Sequence, residues 1–444
     1  MRFRLAIILG KIVRFGLRLL GRSATALPGN IALKIYPNLL KVIDKRCKKK
    51  IIITGTNGKT TTNNLISYIL KGKFKNVLSN LRGANMAQGV ASAFIADFKD
   101  KYDWGVFEID EGSLDDVLNY INPDFVVVTN FFRDQLDRYG EIENTVALVK
   151  NVLKKKKNLK LVLNADDPLV AQFNDLEHEK IFYGVNKNKF SSEKGKVVET
   201  WYCPKCGAKM DYKFFNYGHL GEYKCNNCGF KNPERKYLVD NVKFDGKFTF
   251  DVRYNGKITK DISFRYEGIY NLYNCCAAFA TCCELGLDPN IIKERISNFT
   301  YRLGRMEEIA YKNKIIKIAL AKNPIGLTEV IRTIKQDENK KTLVFILNDN
   351  PADGEDVSWI WDADFSELKK IKNINSIICS GIRAEDIALR IKYANVPTDL
   401  IEIDDNIKSA IKKGIMTKVK RVYIIPTYTA VFESRDIVLE LVKK

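Results

Sequence analysis

Residues 51–62 read Ile51-Ile52-Ile53-Thr54-Gly55-Thr56-Asn57-Gly58-Lys59-Thr60-Thr61-Thr62. The β-branched run predicts a short buried strand, the two glycines a tight turn, and the residues from about Thr60 a helix. A strand–glycine turn–helix unit is a phosphate cradle. Glycine lets backbone N–H groups curl around an anion, and the helix N-terminus adds partial positive charge. Lys59 can reach the β- and γ-oxygens of a nucleotide, and the Thr60 hydroxyl can ligate magnesium. The spacing is G-x-x-G-K-T rather than the longer G-x-x-x-x-G-K-T, because Ile53 stands where the first glycine would be.

Outward from this loop, Val106–Glu108, Phe125–Thr129 and Leu159–Leu163 read as further buried strands, with a helix over Ile142–Lys154. Such alternation implies a doubly wound, mostly parallel α/β sheet. Residues 201–233 interrupt it with Cys, Lys, Asn and Tyr and read as a small insertion. The α/β pattern resumes at the helix around Tyr270–Leu285. After about Arg305 a second, Rossmann-like α/β unit begins. Its expected strands are Ile315–Ala319, Thr342–Leu347, Ser376–Ser380, Thr398–Ile403 and Val422–Ile425, with helices over Ile325–Lys335 and Ala384–Tyr393. The expected domains are a basic helical segment (1–48), a nucleotide-binding domain (49–305, carrying the insertion) and a C-terminal α/β domain (306–444).

The chain has 444 residues, enough for more than one core. A net charge of +20 favours anionic partners without choosing among nucleic acid, phosphorylated substrates and membrane. The segment 1–22 concentrates that charge. At about 100° per residue, Arg4, Lys11, Arg14, Arg18 and Arg22 share an arc of about 80°. Two readings follow: a helix lying on an anionic membrane, or a helix packed on the protein with a solvated basic face. No stretch is long and apolar enough to span a bilayer. The ten cysteines do not form a disulfide framework, which fits a reducing cytoplasm. Four of them form two C-x-x-C units, Cys203/Cys206 and Cys225/Cys228, each followed by glycine. Four thiolates close a tetrahedral shell, so this is read as a structural zinc ribbon, with an iron–sulfur site or a redox pair as the alternatives.

Further pieces follow in order along the chain. Glu108 ends a strand. Thr129-Asn130 leads through Asp134, Gln135 and Asp137 to Gly140. Asn164–Pro168 reads NADDP, and Gly268–Ala278 reads GIYNLYNCCAA. Gly304-Arg305-Met306-Glu307 and Ala321-Lys322-Asn323-Pro324 come after. With the loop, this set resembles the Mur ligase superfamily over essentially all of residues 50–330. The resemblance implies an ATP site made by Gly55, Thr56, Asn57, Gly58, Lys59, Thr60, Thr61, Asn271, Asn274 and Arg305. It also implies magnesium at Thr60 and Glu108.

Three departures bear on the activity. Tyr270 and Gln135 stand where relatives usually carry histidine, and Ala321–Pro324 differs from the A-H-x-P of amino-acid-adding ligases. These departures, with Gly381–Tyr393 and Pro426–Ala430, resemble the amidating branch of the superfamily. That branch implies ATP-dependent conversion of the α-carboxylate of D-glutamate in lipid II to D-isoglutamine through an acyl phosphate. The ammonia would come from a separate GatD-like glutaminase subunit bound as a heterodimer. The chain's two histidines, His178 and His219, lie in no Cys-His glutaminase motif of its own. The same resemblance implies that Asp349, in Asn348–Pro351 after an apolar strand, orients the histidine of that partner. Lys59, Glu108 and Asp349 are thus the expected catalytic residues. An amino-acid-adding ligase of folylpolyglutamate synthase type and a nucleic-acid-binding NTPase are the alternatives. The second has no basic-aromatic motif behind it, so no nucleic-acid partner is expected.

Overall fold

The structure is a computed structural model that describes residues 1–19, 24–80, 84–133, 141–195, 198–300 and 305–443. Three helices lead in: α1 (Arg2–Leu19), α2 (Leu27–Ile35) and α3 (Leu39–Arg46). The chain then builds β1 (Cys47–Thr54), α4 (Lys59–Lys71), β2 (Val77–Ser79), α5 (Ala87–Ala96), β3 (Tyr102–Glu108) and β4 (Phe125–Val128). Next come α6 (Ile142–Lys154), β5 (Lys160–Asn164) and β6 (Glu179–Val185). A separate hairpin pairs β7 (Asp211–Tyr217) with β8 (Leu220–Lys224). An antiparallel meander follows: β9 (Tyr237–Phe244), β10 (Phe248–Tyr254) and β11 (Lys257–Phe264), and then α7 (Tyr270–Glu284).

The first sheet runs β11-β10-β9-β6-β5-β4-β1-β3-β2. From β2 to β9 every pairing is parallel, and the meander closes one edge in antiparallel fashion. A parallel sheet covered on both faces needs apolar side chains pointing both ways, and β4 is buried at all of its residues. In β1, Ile51 and Ile53 face a core shared with α4 and α7, whereas Ile52 faces a core shared with α3, α5 and α6. From β1 the chain passes to β2 and β3 on one side, then to β4 and β5 on the other. The loop after β1 therefore lies at the topological switch point, where open α/β sheets bind ligands.

The second sheet contains β12 (Arg305–Tyr311), β13 (Lys314–Ala319), β14 (Lys341–Ile346), β15 (Ile374–Ser380), β16 (Ile401–Ile403) and β17 (Arg421–Pro426). Its order is β12-β13-β17-β14-β15-β16, parallel except for the first pair. Two of its helices are α8 (Pro324–Gln336) and α9 (Ala384–Tyr393). One expected strand is shorter than its sequence suggests. Thr398–Leu400 form a 3-10 turn, and only Ile401–Ile403 pair with β15. Pro397, at φ −56°, starts the turn and Asp399 suits it.

Candidate active site

The register of the first sheet assembles the site. Ile53 of β1 pairs with Glu108 of β3 and Val127 of β4, so Glu108 and Thr129-Asn130 flank the phosphate loop. The loop is fitted closely to that frame. Gly55 has φ +110°, and a Cβ there would lie 2.5 Å from Thr129 Oγ1. Gly58 has φ +85°, and its Cβ would collide with Asn274 Oδ1 of α7. Both positions need glycine for conformation and for space. Asn130 clamps the turn: its carbonyl accepts from the Thr56 N–H (2.8 Å). Its side chain accepts from the Asn57 N–H (2.9 Å) and donates to the Asn57 carbonyl (3.0 Å).

Lys59 opens α4 and is only 5% exposed. Its ammonium donates to Glu111 Oε2 (2.8 Å) and to the Thr56 carbonyl (3.3 Å), and Asp110 Oδ1 lies 3.6 Å away. Burial alone would lower its pKa. Glu111, Asp110 and Glu108 outweigh burial and hold the pKa above the ordinary lysine range, so Lys59 is a buried cation. Glu108 is buried at the end of β3. Asn80 pins its backbone, accepting from the Glu108 N–H (2.9 Å) and donating to its carbonyl (2.8 Å). Thr60 is buried in the first turn of α4. A threonine hydroxyl and a carboxylate are both hard oxygen donors of the kind magnesium takes.

Asn57 joins three parts of the chain. Its amide donates to the Tyr217 hydroxyl at the end of β7 (3.1 Å), and its Oδ1 accepts from Asn323 before α8 (3.0 Å). Asn274 donates to Asn271 Oδ1 (3.2 Å), and Asn271 donates to the Glu267 carbonyl (2.6 Å). Asn57, Gly58, Thr61, Asn271, Asn274 and Lys322 line one cavity between the loop, α7 and the approach to α8. The loop residues, Asn271 and Asn274 are thus brought together. Arg305 begins β12, but its side chain lies outside the described residues, as do Asp134, Gln135, Asp137 and Gly140. Asp349 lies elsewhere, after β14 at the carboxyl edge of the second sheet, where Arg383 donates to its Oδ2 (2.6 Å).

The four cysteine sulfurs lie within 4.8 Å of one another, with Cys203–Cys228 at 3.6 Å and Cys206–Cys225 at 3.5 Å. Tetrahedral zinc thiolates need sulfurs about 3.8 Å apart, from bonds of about 2.3 Å, so the group fits. The insertion is also locked to the body. His219, in the β7–β8 turn, is wholly buried, with Nε2 3.1 Å from Asp167 Oδ1. Asp166, likewise buried, is held by Arg235 Nε (2.6 Å) and the Tyr273 hydroxyl (2.9 Å). Burial raises the Asp166 pKa despite Arg235. Asn232 of the insertion also donates to the Ala165 carbonyl (3.0 Å), so with His219 it docks the cysteine-bearing insertion on the NADDP segment.

Sequence reasoning missed Asp110 and Glu111, Asn80, Tyr217 and the His219–Asp167 pair. The first two had a signal, since Glu108-Ile-Asp-Glu111 crowds three acids just past a buried strand.

Comparison with known proteins adds the family. The Mur ligase middle domain matches residues 53–282, and the MurT ligase C-terminal domain matches residues 320–431. The chain is 39% identical over 439 residues to the MurT subunit of lipid II isoglutaminyl synthase (glutamine-hydrolyzing) from Staphylococcus aureus strain COL, covering 97% of this chain and 96% of that one. The chain belongs to the MurT family. The corresponding subunit of Streptococcus pneumoniae strain ATCC BAA-255 / R6 is 34% identical over 445 residues, covering 98% of this MurT-family chain and 96% of its own. Among solved structures, a pseudomurein peptide ligase type C from Methanothermus fervidus matches with a TM-score of 0.70 and 27% identity, covering 91% of this chain and 80% of that one. MurF ligase from Thermotoga maritima, in complex with ADP, has a TM-score of 0.65 at 16% identity, covering 93% and 83%. It shares the fold.

Proposed function

We propose that this chain is the ATP-dependent synthetase subunit of a lipid II isoglutaminyl synthase, working at the inner face of the cell membrane. The observation that carries the reading is Lys59, a buried cation among Glu108, Asp110 and Glu111 on a glycine loop, in a chain similar to MurT subunits along nearly its whole length.

ATP enters with its phosphates against the loop amides and the N-terminus of α4. Lys59 neutralises charge on the transferred phosphoryl group. Thr60 and Glu108 are the residues that would hold magnesium, which adds charge stabilisation when bound. The D-glutamate α-carboxylate takes the γ-phosphoryl group, giving an acyl phosphate. Ammonia then attacks the acyl carbon and phosphate leaves, producing D-isoglutamine. Gly58, Asn271 and Asn274 hold the nucleotide, with Arg305 at the start of the second sheet.

A GatD-like glutaminase supplies the ammonia, and Asp349 orients that partner's histidine across the heterodimer interface. Asp349 stands on an edge loop and pairs with the partly exposed Arg383, which supports a role outside this chain's own site. Cys203, Cys206, Cys225 and Cys228 hold a structural zinc ion that braces the insertion.

The test is reconstitution with a glutaminase subunit, ATP, glutamine and lipid II, read by mass spectrometry of the stem peptide. ATP-dependent amidation is the expected result. Addition of a free amino acid instead would replace this reading with the amino-acid-adding one.

A further inference from the structure

Helix α1 has two apolar faces. One packs on the protein through Ala6, Ile7 and Gly10, and a Cβ at Gly10 would lie 2.7 Å from Ile95 of α5. At about 100° per residue, the diametrically opposite face carries Leu5, Ile8, Ile12, Phe15 and Leu19. These five are 49%, 56%, 58%, 65% and 72% exposed. The helix packs on the body and its basic arc is exposed at Arg4, Lys11 and Arg18, as the packed reading expects, but the face turned furthest from the body is not that arc. The outward face is apolar, and Arg4, Lys11 and Arg18 flank it on one side. The helix has no acidic residue. Beside it, Arg14 and Arg18 join Lys71, Lys75 and Lys99, with Asp97 as the one acid, around a cavity of about 590 Å³.

We propose that this stripe docks the protein on an anionic phospholipid bilayer, with α1 lying in the plane of the interface. Charge decides the occupant. An apolar stripe this long is unusual on a water-facing surface. The cations along α1, with no acid on the helix, suit anionic headgroups and would repel a second copy of the same face. The inner face of α1 is packed against α2 and α5, and no described helix is long and apolar enough to cross a membrane, so the helix rests on the bilayer. The proposal rests on the reading of a lipid-linked substrate, and it adds how the enzyme reaches one.

The test uses the full chain with its glutaminase partner and vesicles of phosphatidylglycerol or phosphatidylcholine. The parent should cosediment with phosphatidylglycerol vesicles, less so as salt rises. An Ile8→Ser/Ile12→Ser/Phe15→Ser variant should bind them at least about tenfold more weakly. Arg4→Gln/Arg18→Gln, at exposed positions, should lose roughly fivefold per charge on anionic vesicles and nothing on neutral ones. Ammonia-driven amidation of detergent-dispersed lipid II should stay at the parent level in both, so failed docking is distinguishable from failed ligase activity. Vesicle binding unchanged in both variants overturns the proposal. So does a parent that ignores vesicles and forms a dimer that the serine variant dissolves.

Discussion

The carboxyl edges of the two sheets carry different kinds of acid. At the first, Lys59 is 5% exposed and three carboxylates from Glu108 to Glu111 converge on it inside the chain. At the second, Asp349 is 19% exposed and meets one arginine that is itself 44% exposed. A group that acts on charge within its own site is best buried, where each interaction is worth more. A group offered to another subunit must stay on an edge and be held loosely enough to change partners. The contrast is what the proposed function expects, with phosphoryl chemistry at the first edge and partner chemistry at the second.

The largest effect should come from the first edge. Lys59→Ala should lower amidation at least about a thousandfold, whether ammonia comes from glutamine or is added. Circular dichroism and co-purification with the glutaminase should remain unchanged. Glu108→Ala should follow it. Near-parental turnover of Lys59→Ala at saturating ATP would remove the loop from the mechanism.

At the second edge, Asp349→Asn keeps the shape and removes the charge. Glutamine hydrolysis by the complex should fall roughly 10- to 100-fold, while ammonia-driven amidation persists. Equal loss with ammonia would place Asp349 in the synthetase and erase the contrast.

A third effect lies between the edges. The protein should carry about one zinc ion per chain, since four thiolates close one shell. Cys206→Ser should lower Tm by roughly 5–10 °C. Because Tyr217 in the same insertion touches Asn57 of the loop, KM for ATP should rise a few fold as well. Elemental analysis that finds no metal would leave the insertion without its brace.

The smallest effect concerns Glu199, which accepts from the Arg133 N–H (2.5 Å). Burial pushes its carboxyl up to about 7, against about 4.3 for an unfolded glutamate. Between those values the folded chain keeps a proton that the unfolded chain has lost. Stability from this group therefore falls as pH rises through that window. Glu199→Gln should flatten the decline of Tm between pH 5 and 7 by about 2–4 °C; an unaltered slope would show that Glu199 ionises normally.

Much of this was legible in the sequence because the signals were local. The glycine loop, the strand at Phe125 and the helices Ile142–Lys154 and Ala384–Tyr393 announce themselves through period and punctuation. The two C-x-x-C units announce a sulfur cluster. The meander β9–β11 did not, because strands such as Tyr237–Phe244 mix Asp, Asn and Lys with their apolar residues and carry register shifts. The contacts at Asn57 were also hidden. Tyr217 and Asn323 are 160 and 266 residues away along the chain, and no pattern within one element records such a meeting. The apolar stripe on α1 was masked by its flanking arginines, since the wheel shows where side chains point but not which face the body covers.

The measurement that bears most directly on the mechanism is the fate of carboxylate oxygen. Lipid II labelled with ¹⁸O in the D-glutamate α-carboxylate is given to the reconstituted complex with ATP and ammonia, and the released inorganic phosphate is analysed by mass spectrometry. An acyl phosphate formed at the loop of Lys59 predicts that phosphate carries one oxygen from the substrate. Amidated product accompanied by unlabelled phosphate would contradict it.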